Sequence, residues 1–178
     1  RFWPDQGNCR WPFRLFWQRL TRESKMDLIY GLQFLVLLFA GLLAGAEFVV
    51  HLALVPSIRH LESRAKLTFR RGLILKLRIL IPCIFLPVLI PAIALIFLSE
   101  TPVQPTLHYS ALACLALWIA LRIVGTVPIN SATLEWSVES PPADWEARVA
   151  RAERFHIVGV LAAVACFVLL LLEILPNH

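Results

Sequence analysis

Four long apolar runs, at 28–55, 73–98, 107–127 and 157–175, restrict this chain to very few folds. Each is about as long as the roughly 20 helical residues that cross a hydrocarbon layer about 30 Å thick. In such a layer only helices or closed barrels satisfy their own backbone. None of the runs shows the alternation of a barrel strand, so helices are predicted. The expected fold class is all-α, an integral membrane four-helix bundle in the cell membrane. Composition agrees, with 58% apolar and 16% charged residues, against about half and a quarter in soluble domains. That balance excludes a disordered chain, a disulfide-rich mini-protein and a fibrous repeat.

The formal charge of +5 at first suggests a polyanionic partner. Its distribution removes that reading. Residues 1–25 hold six Lys/Arg against Asp5 and Glu23, and from Met26 onward the charges nearly balance, with 11 basic and 10 acidic residues. No nucleic-acid partner is expected; the expected partners are membrane lipid and a small apolar molecule. Residues 1–25 read as a basic, aromatic extension. It is either a membrane-surface segment or upstream sequence ahead of a start at Met26, and 26–178 reads as a single four-span domain. Nothing in the sequence sets an oligomeric state.

The connections are a basic loop at 56–72, a Pro-rich turn at 99–106 and a polar loop at 128–156. Arg59, Arg64, Lys66, Arg70 and Arg71 crowd the first, and Arg148, Arg151 and Arg154 the third. The turn at 99–106 has no Lys or Arg. By the positive-inside rule both long loops face the cytoplasm, leaving Met26 and the C-terminus outside.

Ionisable residues within apolar spans are costly and mark functional sites by default. Glu47 and His51 lie late in the first span, four apart on one helix face. Arg78 lies early in the second, Arg122 and Asn130 late in the third, and Glu153 and His156 open the fourth. Alternating helix direction brings all of these to one end of a bundle, the cytoplasmic end. The plainer reading is that they emerge at headgroup depth, with Arg78 and Arg122 snorkelling. Pro82, Pro87 and Pro91 are expected to kink the second span. Gly41 and Gly45 form a small-residue face for helix packing. His60, His108 and His178 are placed in solvated loops or ends.

Two chemistries fit the polar set. Glu153-x-x-His156 has the spacing used by di-iron carboxylate bundles, and Glu47, His51, Glu135, Glu153 and His156 are the possible metal ligands; no bound metal or other cofactor is committed. Alternatively, His51 or His156, oriented by Glu47 or Glu153, acts as a general base. Arg78 or Asn130 would then stabilise a developing oxyanion.

The stretch GLLAGAEFVVHLALVP at 41–56 is similar to the opening of the small four-helix membrane family called anthrone oxygenase-like. So are Val127-Pro128-Ile129-Asn130, Pro142-Ala143-Asp144-Trp145 and Glu153-Arg154-Phe155-His156. The resemblance covers about residues 26–176. It implies four transmembrane helices and, in members with an assigned role, oxidation of an anthrone carbon by molecular oxygen. Such a substrate has an acidic methylene, so a base alone gives a carbanion able to react with oxygen. On this reading His51 or His156 is the base and Glu47 or Glu153 its orienter. Arg78 and Asn130 bind the oxyanion, while Trp136, with Trp145 and Phe155, stacks on the flat ring. The competing expectation is a non-enzymatic accessory or small-molecule-binding membrane protein whose polar cluster is structural.

Overall fold

The computed structural model describes residues 11–98 and 105–175, with side chains from residue 22 onward. Every regular element among these residues is helical. Helix α1 covers Trp11–Val49, and a wider π turn at Val50–Leu54 carries it into α2, Val55–Arg59. Helix α3 spans Ser63–Leu98. Helix α4, Pro105–Leu121, passes through a second π turn, Arg122–Thr126, into α5, Val127–Glu135; α6 is Trp145–Ile174. The result is four rods, Arg22–Arg59, Ser63–Leu98, Pro105–Glu135 and Trp145–Ile174, each long and apolar enough to span a membrane. Residues 1–10, 99–104 and 176–178, including His178, lie outside the described part.

The rods outrun the apolar runs at several ends. Residues 11–25 continue directly into the first rod, and residues 128–135 extend the third. Pro56, the residue just past the first apolar run, sits inside the first rod. The cause is common to both interrupted rods. A proline has no N–H to return to the preceding turn and crowds the carbonyl four residues back. Each rod meets its proline, Pro56 or Pro128, just after a π turn. There Val55 N–H bonds to Val50 O and Val127 N–H to Arg122 O, five residues back instead of four. The wider turn absorbs the break without ending the rod. Pro82, Pro87 and Pro91 all lie within α3, which is a single helix across them.

Helix α1 packs against α3 and α6, and α6 against α4, while α3 touches α4 and α5 only sparsely. Around the fully buried Trp118, the core is built from small and medium side chains: Val36, Ala40 and Leu43 on α1, Val88 and Ala92 on α3, Ala111 and Leu115 on α4, Ala163 and Cys166 on α6. Small residues let helices approach closely where lipid-like apolarity offers little other driving force. Gly41 follows this rule, because a β-carbon there would come within 3.2 Å of the Phe167 ring. Gly45 has open space instead. The outward faces are apolar as well: Phe97 is 82% exposed and Ile79 70%.

One polar contact lies at the end of the bundle away from the π turns. His108 is not solvated but 2% exposed. Its Nδ1 stands 3.0 Å from Glu173 Oε2, and Nε2–H donates to Ala92 O at 3.0 Å. Three rods, α3, α4 and α6, are thereby joined by one side chain. Removing one partner of a buried polar pair costs about 1–3 kcal/mol. H108A should therefore lower the thermal unfolding midpoint of the purified chain clearly. An unchanged midpoint would show that the contact carries no stability.

Candidate functional site

Glu47 is 1% exposed and faces the bundle interior one turn before the first π segment. Its carboxylate forms an ion pair with Arg122, the first residue of the second π segment. The same Oε2 lies 3.3 Å from His156 Nδ1. Three rods thus meet at one carboxylate. The Arg122 guanidinium also covers the Trp118 ring, 5.4 Å from its centroid, a cation–π contact. His51, inside the first π turn, stands edge-on to His156 with ring centroids 5.8 Å apart. π turns recur at functional sites because the inserted residue re-aims its neighbours. Here the two wide turns carry His51 and Arg122.

Gly125 lies in the second π turn, and a methyl group added there would collide with the Phe155 ring. Phe155 is adjacent to His156, so the missing side chain lets α6 seat against the widened turn. Phe155 packs there rather than contributing to the cavity lining.

The cluster opens onto a cavity of about 770 Å³. Glu47, Arg122 and Trp118 line it, as does His156, neither of whose ring nitrogens forms a hydrogen bond among the described residues. Leu73, Ile74, Leu77 and Ile81 give it an apolar wall along α3, facing Ile119 and Val127. Its volume falls within the range of small-molecule sites. It occupies the space left where α3 stays apart from α4 and α5.

The expected site residues distribute as follows. Glu47, His51 and His156 come together. Glu153 lines the cavity but pairs with Arg59 at 3.6 Å, not with a histidine. Asn130 lines it and accepts a hydrogen bond from Arg70 Nη2 at 3.2 Å. Arg78 and Glu135 lie on its wall. Trp136 lies outside the lining, in a separate apolar cluster with Leu67, Trp145 and Val149; of that group Trp145 and Val149 line the cavity, with Lys66 Nζ 5.7 Å from the Trp145 ring centroid. The five possible ligands Glu47, His51, Glu135, Glu153 and His156 do not gather as a metal-holding group. Among the described residues no three His, Cys, Asp or Glu side chains do so. The cation beside Glu47 is instead Arg122. That pairing was not anticipated, although an arginine inside an apolar run was its sequence signal.

In comparisons with known proteins, no family model, curated sequence or solved structure matches the chain.

Chemically, the arrangement sets a histidine beside a buried carboxylate, Nδ1 to Oε2 at 3.3 Å, with neither ring nitrogen taken by a hydrogen bond among the described residues. A buried carboxylate stripped of its cation is strongly destabilising, by about 3–5 kcal/mol, whereas replacing both partners costs far less. R122M should therefore destabilise the fold by an amount of that order. The double variant E47Q/R122M should recover more than half of the loss in denaturant unfolding. Additive losses would show that the two side chains do not act as a pair.

Proposed function

We propose that this chain is a multi-pass membrane oxygenase that deprotonates an apolar aromatic substrate and lets the carbanion react with molecular oxygen. The observation that carries the reading is His156 on the wall of a largely apolar cavity, its ring nitrogens free of hydrogen bonds among the described residues and its Nδ1 3.3 Å from Glu47 Oε2. Membrane insertion is supported by the apolar outer faces of four rods of spanning length, since large exposed apolar patches are rare on soluble monomers. The orientation that fits the basic loops puts 56–72 and 128–156, and with them the site, on the cytoplasmic side. With the native cysteines replaced by serine, a cysteine placed at Ser140 should then react with an impermeant maleimide only after permeabilisation. Labelling in intact cells would reverse the topology.

The anthrone-type chemistry suggested by the sequence resemblance runs without a redox cofactor. His156 removes a proton from the activated methylene, and Arg122 offsets the negative charge that develops on the neighbouring oxygen. The carbanion and O₂ form a carbon–oxygen bond, and protonation yields a hydroperoxide. Loss of the second C–H proton to the base cleaves the O–O bond. The carbon becomes a carbonyl and the distal oxygen leaves as water. One O₂ is consumed per substrate, its two atoms ending in product and water. Glu47 keeps His156 in place, and His51 is a second histidine within reach of its ring.

Purified full-length chain in detergent should consume oxygen when given anthrone and release anthraquinone. A positioned base is worth about 10²–10⁴ in rate, so H156A should lose activity by that order while keeping its helical circular dichroism. Absence of oxygen uptake by the parent protein, or full activity in H156A, would overturn the reading.

A further inference from the structure

The charges around the cavity do not all find partners. Glu47 is taken by Arg122, Glu146 by Lys66 at 3.4 Å and Glu153 by Arg59 at 3.6 Å. Two arginines on α3 are left without a carboxylate of their own, Arg70 and Arg78. Arg78 is exposed and forms no hydrogen bond or ion pair among the described residues. Arg70 is half-buried. Its Nη2 is held by the neutral Asn130 amide, and its Nε–H is buried with no hydrogen-bond partner. The carboxylate whose field reaches it, Glu153, is shared with Arg59. The remaining carboxylate on the cavity wall, Glu135, is exposed and forms no ion pair among the described residues.

A guanidinium drawn out of water is costly unless an anion meets it. Arg70 meets only an amide. It also sits at one end of an α3 stripe that continues as Ile74, Leu77 and Ile81, all on the cavity wall, at the three-to-four-residue spacing of one helix face. That stripe runs about 16 Å from Arg70 to Ile81, a charged head site followed by about 10 Å of apolar wall, at 1.5 Å per residue. Its partner across the cavity is α5, joined to α3 here by Arg70 to Asn130 and by Arg71 Nη2 to Leu134 O at 2.6 Å.

We propose that Arg70 is the anion subsite of this cavity, and that the molecule bound there is apolar along most of its length and carries one carboxylate-type anionic group. The inference concerns binding alone and stands whether or not the bound molecule reacts with oxygen. An anionic head of this kind could belong to a lipid or to a free small molecule, and the test separates the two.

The full-length chain is placed in nanodiscs of phosphatidylcholine, and binding of anthracene-2-carboxylate is compared with that of anthracene-2-carboxamide by fluorescence titration. The two probes match in size and differ in charge. A charge-assisted hydrogen bond lost on going to the amide corresponds to about tenfold or more in affinity. The carboxylate should bind tighter by that factor. R70Q should bring the two affinities within about twofold, and R148Q, on an exposed arginine paired with Asp144, should leave the preference intact. R70K keeps the charge but loses the planar fork, so it should retain part of the preference. It also decides the matter if R70Q does not fold. Repeating the titration in phosphatidylglycerol nanodiscs identifies the source. Suppressed binding there assigns the subsite to an anionic lipid head, and unchanged binding assigns it to a free small molecule. Equal affinities for the two probes in the parent, or an undiminished preference in R70Q or R70K, would overturn the proposal.

Discussion

The buried ion pair between Glu47 and Arg122 organises everything near it. It joins the first and third rods, and through the same carboxylate it reaches His156 on the fourth. A carboxylate at 1% exposure is sustainable only with a cation in contact, and the cation comes from a helix that must bring its side chain inward at that depth. Trp118, one turn earlier on α4, supplies the aromatic face against which the guanidinium lies. Remove one partner, and the other is left buried without its counter-charge beside the histidine.

The two π turns make that meeting geometrically possible. Each adds a residue to one turn just ahead of a Val-Pro pair, so the rod beyond it is rotated relative to an uninterrupted helix. Proline therefore has a constructive use here. It removes a backbone donor that a regular helix would need, and the wider turn closes the gap while re-aiming His51 and Arg122. Gly125, lying within the second turn, completes the fit by admitting Phe155.

Much of the architecture was legible in the apolar runs, because hydrocarbon-length segments without alternation leave few alternatives to helices. Their ends were less legible. Hydropathy stops where polar residues begin, yet a helix continues as long as its backbone bonds are satisfied, which is why residues 128–135 prolong the third rod. The gathering of Glu47, His51 and His156 followed from helix direction alone. What could not be read was the pairing. Spacing places Glu153 beside His156 on one helix, but the carboxylate that approaches the ring belongs to another rod, and only packing decides that. For the same reason His108 looked solvated near a chain reversal, while its partner Glu173 stands 65 residues away in sequence.

Helix α6 is held at two points. His156, about three turns in from Trp145, ties it to α1, and Glu173 ties its last turns to α4, with about 26 Å of helix between the two at 1.5 Å per residue. A slide of α6 by one turn would break both contacts together, so the helix behaves as a fixed spar. Helix α3 is likewise fastened to the third rod at two points, by Arg70 and Arg71 at its polar end and by His108 reaching Ala92 O, and it packs along α1 as well. Between those two fastenings α3 makes no hydrogen bond to the third rod among the described residues, and that is the stretch the cavity occupies, with Ile74, Leu77 and Ile81 as its wall.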